Sequence, residues 1–163
     1  RAMRAVAGGI EHTLILRADR DNVPDILALQ KVAYQSAAEL YGDASLPALQ
    51  QSLAEIEADF ERLVFLKAVV NGKIIGSVRG VAEADCAHLS RVIVHPYFQG
   101  RGIARRLIAD IEGAFPAVSR YEAFTGHKSH RNLRTFGRLG YRMFRTEPFT
   151  PTITWVYMRK DRL

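Results

Sequence analysis

The segment His95-Pro96-Tyr97-Phe98-Gln99-Gly100-Arg101-Gly102-Ile103-Ala104-Arg105-Arg106 constrains the fold most, because it joins a strand to a helix that has no side chain to start it. Upstream, residues 88–94 read as a β-strand ended by Pro96. Downstream, Ile103, Leu107, Ile108, Ile111 and Phe115 recur at the spacing of one buried helix face, closed by Pro116. A helix start leaves backbone N–H groups unpaired and carries partial positive charge, so chains usually place Ser, Thr, Asp or Asn there, followed by acids. This start offers Gly100, Gly102, Arg101, Arg105 and Arg106 and no carboxylate. It suits an external anion, a phosphate above all, held by bare amides and guanidinium groups. The alternative is a helix end capped by water, with solvated arginines.

The other helices are started conventionally. Asp21, Asn22, Pro24 and Asp25 precede apolar positions at Val23, Ile26, Leu27, Ala33, Ala37 and Leu40, and Ser45 and Pro47 precede Leu49, Leu53, Ile56 and Phe60. Residues 63–70 and 73–81 flank Asn71-Gly72, the dipeptide of a tight hairpin turn. Further strands are expected near 14–16, 121–125, 141–144 and 153–158, with a helix over 129–139 stopped by Gly140. The order β, α, α, β, β, β, α, β, α, β, β predicts an α/β fold of the α+β kind. Its mixed sheet is mostly antiparallel and carries one parallel β-α-β crossover around the unusual helix. Ligands in such sheets sit at strand carboxyl ends beside a helix N-terminus, which is the 94–102 region.

A chain of 163 residues fits one compact domain, expected over 11–163, with 1–10 a tail that is flexible or not native. No apolar run is long enough for a bilayer and the start is too short for a signal peptide, so a cytoplasmic protein without membrane contact is expected. The single cysteine, Cys86, precludes an internal disulfide and a cysteine-based zinc cluster, and a structural thiol is its expected role. A net charge of +6 favours anionic partners, with basic residues gathered at 101–106 and 128–138, a pattern for a localised anion more than a long polyanion. The chain has no Walker A segment, and Gly100-x-Gly102 meets Arg105 where a dinucleotide fingerprint needs its third glycine.

What does fit is Gln99-x-x-Gly102-x-Ala104 directly after a strand, which resembles the central motif of the GNAT superfamily of acetyl-CoA-dependent N-acetyltransferases. The resemblance extends over about 14–158, through the Asn71-Gly72 hairpin and a later segment from Thr125-Gly126 to Gly140-Tyr141. It implies acetyl-CoA as co-substrate and no metal, with the amides of Gln99, Gly100, Arg101, Gly102, Ile103 and Ala104 around its diphosphate. Arg101, Arg105 and Arg106 are implied to lie near the phosphates. The backbone of Ile93 and Val94 is implied to bind the pantetheine arm, Asn132 to touch it, and the amide near Val94 to hold the oxyanion.

Acetyl transfer to an amine requires a base, because amines are mostly protonated near neutral pH. Where relatives carry a carboxylate this chain has His88, the expected catalytic residue, with Glu83, Asp85 and Glu122 as other candidates. Many relatives place a general-acid tyrosine four residues before the glycine of Gly140-Tyr141. Here that residue is Phe136, which has no proton to give, leaving Ser129, His130, Tyr141 or water as the donor, or a thiolate that departs unaided. Tyr34, Glu39 and Tyr41 are implied to line the acceptor pocket, Glu39 attracting a cationic amine of a small molecule or peptide, although the place of Tyr34 by the apolar stripe of its helix favours core packing for it. A homodimer is left open. The competing readings are a catalytically silent acyl-CoA sensor, motivated by Phe136, and a nucleic-acid-binding protein, motivated by net charge.

Overall fold

The computed structural model describes residues 12–162; the expected tail over 1–10 falls outside them. Strand β1 (Leu14–Arg17) leads through a short 3-10 turn into helix α1 (Val23–Tyr41), followed by α2 (Pro47–Gln50) and α3 (Leu53–Arg62). Then come β2 (Val64–Val70), β3 (Lys73–Glu83), β4 (Cys86–Val94), α4 (Ile103–Gly113), β5 (Arg120–Gly126), α5 (His130–Arg138), β6 (Arg142–Thr150) and β7 (Ile153–Asp161). Among the described residues the strands form a seven-stranded sheet in the order β1-β2-β3-β4-β5-β7-β6, antiparallel except for β4 and β5. The mixed α/β class expected from the element order is the one observed.

Asn71 and Gly72 make the β2-β3 turn with φ of 50° and 78°, the left-handed pair a two-residue hairpin requires. Side chains alternate across the strands, so adjacent Phe65 and Leu66 of β2 serve opposite cores. On one face α4 buries Ile103, Leu107, Ile108 and Ile111 against Val78, Ala87 and Leu89. On the other, Val23 and Ile26 of α1 and Ile56 of α3 close over Phe65. Each such side chain contributes roughly 1.5–3 kcal/mol.

Two local expectations are corrected. The stretch from Pro47 to Phe60 is not one helix started by Ser45: it breaks at Gln51, whose backbone is extended (φ −64°, ψ 131°), and α3 restarts on a reciprocal Ser52–Glu55 capping box. Gln51 is drawn out because its side chain accepts from Gln30 and Arg79 and donates to Asp59. Asn22 likewise makes no cap bond for α1; its side chain accepts the Asp19 N–H instead.

Candidate active site

Strands β4 and β5 pair over only three rungs, Cys86↔Arg120, Ala87↔Tyr121 and His88↔Glu122. Beyond these each keeps its outer neighbour, β4 staying with β3 to Val94↔Gly76 and β5 with β7 to Gly126↔Trp155, while the two part from each other. A β-bulge accompanies the parting: the register with β3 shifts between Ser77 and Arg79, and Arg91 takes a left-handed φ of 52°. From Leu89 to Val94 the inner edge of β4 therefore has no strand beside it. The gap is the floor of a cleft of about 1050 Å³, walled by the loop before α4, by α5 and by α1. Its described lining includes six arginines and no aspartate or glutamate.

One end of the cleft is the start of α4. Gly102 is its N-cap at φ 82°, with no side-chain cap bond, and the first helical bond runs from Arg106 N–H to the Gly102 carbonyl at 3.2 Å. The amides of residues 102–105 thus have no helical acceptor. Gly100, at φ 77°, lies under the Arg131 guanidinium, and Gly102 beside that of Arg105; a Cβ built on the two glycines would sit 3.6 Å and 3.8 Å from them. Arg101 lies over the Tyr97 and Phe98 rings at 5.5 Å and 5.4 Å. Gln99, Gly100, Arg101, Gly102, Ile103 and Ala104 all line the cleft, as do Ile93, Val94 and Asn132. The Gln99 side chain donates to the Val94 carbonyl at 3.1 Å and so pins the loop to the end of β4. Arg106 differs from the expectation: it donates to the Thr13 carbonyl at 3.0 Å and does not line the cleft.

The remaining predicted residues divide. Tyr34, Tyr41, Ser129 and Phe136 line the cleft, whereas Glu39, His130 and Tyr141 do not. Glu39 is exposed on the outer side of α1, because the phase of the helix turns Tyr34, Ala38 and Tyr41 inward. Tyr141 donates to Glu112 at 2.6 Å, and burial with that bond pushes its pKa up. His88 occupies the last paired rung, one residue short of the lining, with Nδ1 3.8 Å from Glu122 and Nε2 3.7 Å from Glu83. Asp85 is engaged elsewhere, accepting the Ser119 N–H at 3.0 Å.

Cys86, His88 and Glu122 bring ligand atoms within 4.8 Å of one another and are the described group that could approach a metal ion. A ligating thiol must lose its proton; burial and then Glu122 push Cys86 up to about 11, which favours a neutral thiol. Sequence reasoning missed Arg91, Arg131, Arg134 and Arg138 as individual lining residues. An arginine within the apolar run Leu89 to Val94 was the available signal for the first of them.

The acetyltransferase (GNAT) domain profile matches residues 29–162, and the chain belongs to that family. An acetyltransferase of Pectobacterium atrosepticum is 44% identical over 62 residues, covering 34% of this chain and 44% of that protein. Protein YqkA of Bacillus subtilis, designated UPF0157, is 27% identical over 122 residues, covering 75% of this chain and 35% of that protein. The chain thus spans less than half the length of either relative. The PaiA N-acetyltransferase of Thermoplasma acidophilum, solved in complex with coenzyme A, superposes with a TM-score of 0.73 at 13% identity, covering 92% of this chain and 99% of that one. At that identity the likeness carries the fold.

Proposed function

We propose that this chain transfers the acetyl group of acetyl-CoA to a primary amine of a small molecule or peptide by direct attack in a ternary complex. The observation that carries the reading is the wedge between β4 and β5, a bare strand edge running into an uncapped helix start, lined by arginines and, among the described residues, free of carboxylates. Those features fit the two chemically different parts of coenzyme A. A diphosphate meets the free amides around Gly102 with Arg105 and Arg131 beside it, and an amide-bearing arm adds to the edge at Ile93 and Val94 as a strand would. Asn132 faces that arm.

Acetyl-CoA, when bound, supplies an activated acetyl thioester. In this reading His88, held between Glu83 and Glu122, takes a proton from the incoming amine through water, and the amide near Val94 polarises the acetyl oxygen. Phe136 lies in the cleft wall, 3% exposed and edge-on to Tyr141, so the proton for the departing sulfur comes from elsewhere. Ser129, joined to the Tyr41 hydroxyl, is the group we assign to it. Glu39 is given no part. The enzyme is taken to act in the cytoplasm, where a free Cys86 is kept reduced.

A second reading, a silent acyl-CoA sensor, rests on Phe136 alone. Thermal unfolding with acetyl-CoA, ATP, NAD and duplex DNA, followed by thiol release with a panel of amines, separates the readings. A ligand at a hundred times its Kd stabilises the fold by about 2.7 kcal/mol. Stabilisation by acetyl-CoA with thiol release supports transfer, stabilisation without release supports the sensor, and stabilisation by DNA alone overturns both.

A further inference from the structure

Of the six cleft arginines, five lie on the elements that form the proposed cofactor side: Arg101 in the loop, Arg105 on α4, and Arg131, Arg134 and Arg138 on α5. Arg91 is the exception. It sits at the bulge of β4, where α1 packs across β3 and β4, and the wall on that side is small or apolar: Ala33, Ala37, Leu40, Leu46, Pro47 and Ala48. No carboxylate forms an ion pair with Arg91 among the described residues, and its Nε is buried without a hydrogen-bond partner. Tyr34, also in the lining, makes no hydrogen bond through its hydroxyl among the described residues, and Arg91 and then Arg79 are the charges that act on it.

Arg79 beneath is no counter-charge. It is 1% exposed, accounts for the acceptors of Gln30, Gln51 and Asp59, and lies 4.5 Å over the Phe65 ring. A second guanidinium so close makes the local potential more positive. A partly buried cation with a strained backbone and no partner is costly unless something pairs with it. The bulge is the device that aims this side chain.

We infer that the acceptor amine carries a carboxylate close to it, as a free amino acid does, and that Arg91 with the Tyr34 hydroxyl binds that carboxylate. This rests on the acetyltransferase reading and narrows its substrate class. A guanidinium holds a carboxylate by donating two parallel N–H bonds to it, and losing either partner leaves the other charge uncompensated. The apolar wall takes the rest of the acceptor. The inference also explains why Glu39 faces away: a carboxylate in this half would repel the same substrate.

The test compares L-amino acids with their C-terminal amides as acceptors, in wild type, Arg91→Gln and Arg91→Lys. A neighbouring carboxylate makes an amine hold its proton more tightly, so intrinsic reactivity favours the amides; the site must overcome that. Wild type is expected to prefer its best acids over their amides by on the order of a hundredfold in kcat/KM. Arg91→Gln should bring the ratio to within about threefold through KM, and Arg91→Lys should restore part of it. Equal use of acids and amides by wild type, or an unchanged ratio in Arg91→Gln, overturns the inference. Thermal stabilisation by acetyl-CoA is measured alongside in all three proteins, and its absence in wild type sinks the acetyltransferase reading separately. If no amine is acetylated, binding of N-acetylamino acids against N-acetylamino amides by calorimetry decides: acid-selective binding lost in Arg91→Gln keeps the carboxylate site, and no selectivity removes it.

Discussion

The Tyr41 hydroxyl lies 2.9 Å from Ser129 Oγ and accepts the Lys128 backbone N–H at 2.9 Å, tying the end of α1 to the start of α5 across the cleft. Gly126 makes room for it: a Cβ there would meet the hydroxyl oxygen at 2.0 Å and the ring carbon behind it at 2.6 Å. The contact therefore joins the proposed acceptor wall to the proposed cofactor wall through one side chain, and it depends on a missing one.

Gly126→Ala should lose about 2–3 kcal/mol in urea unfolding, the cost of overpacking a site that cannot open cheaply. In a Tyr41→Ala background the same change should cost under about 1 kcal/mol, because its clash is gone. A cost that is the same in both backgrounds would mean that strand packing, and not Tyr41, sets the requirement for glycine. Ser129→Ala, which removes no buried bulk, should lower kcat about tenfold while leaving acetyl-CoA affinity intact if Ser129 protonates the sulfur.

His88→Ala should reduce kcat by about a hundredfold, with a much smaller change in acetyl-CoA affinity, because a base acts on the amine and not on the cofactor. Glu83 and Glu122 lie 3.7 Å and 3.8 Å from the ring and hold it in place, so Glu83→Gln and Glu122→Gln should each lower kcat by less than His88→Ala does. Equal turnover in wild type and His88→Ala takes His88 out of the mechanism.

At the other end of the cleft, Arg105→Ala and Arg131→Ala should each weaken acetyl-CoA binding about tenfold at low salt and less at high salt, as screened phosphate contacts do. Arg106→Ala should not, because its guanidinium is turned to the Thr13 carbonyl. Calorimetry with the three variants at two ionic strengths checks the ordering.

The parts of this architecture that could be read from the chain are those whose causes are local. Asn71-Gly72 dictates its own turn, and the missing cap at Gly102 is visible because capping residues lie next to the helix they serve. The break at Gln51 was hidden, because it depends on Arg79, whose guanidinium reaches Gln51 at 3.2 Å from 28 positions further along the chain. Arg91 stood out in its mostly apolar stretch, but its aim into the cleft was hidden for the same kind of reason. An apolar run with one arginine looks like a plain strand until the register against β3 shifts and the strand bulges. The misplacement of Glu39 was one of helix phase: its neighbour Leu40 was counted in the apolar stripe, yet Leu40 is 51% exposed and Tyr41 is the residue that turns in.

Arg79 leads to a stability prediction. Its guanidinium is buried with Gln30, Gln51 and Asp59 as acceptors, and burial, with Arg91 next, lowers its pKa to about 10. It stays charged at neutral pH. Arg79→Met should cost about 3–5 kcal/mol in denaturant unfolding, chiefly because the Asp59 carboxylate loses its buried counter-charge and the Gln30 side-chain carbonyl loses its donor. Adding Asp59→Asn should recover part of that by removing the uncompensated carboxylate. A loss below about 1 kcal/mol in the single variant would show that the network is wetter than its burial implies.

Asp43 should make the stability of the closing turn depend on acid. Its carboxylate accepts the Ser45 hydroxyl and N–H, then the Thr152 and Thr150 hydroxyls at 2.9 Å and 3.0 Å, linking the loop after α1 to the β6-β7 turn. Those bonds, the Ser45 hydroxyl first, lower its pKa from 3.8 to about 2. A group held lower in the folded state than in the unfolded chain binds fewer protons when folded, so its stabilisation is fully present above the unfolded value and disappears as pH falls through the folded one. The window is therefore about pH 4 down to pH 2. Wild-type Tm should fall more steeply across it than that of Asp43→Asn, and the two curves should run parallel from pH 5 to pH 7. Parallel curves through the acid window as well would mean that the hydroxyls bind the protonated acid equally well, and that this cluster holds the turn by geometry without help from charge.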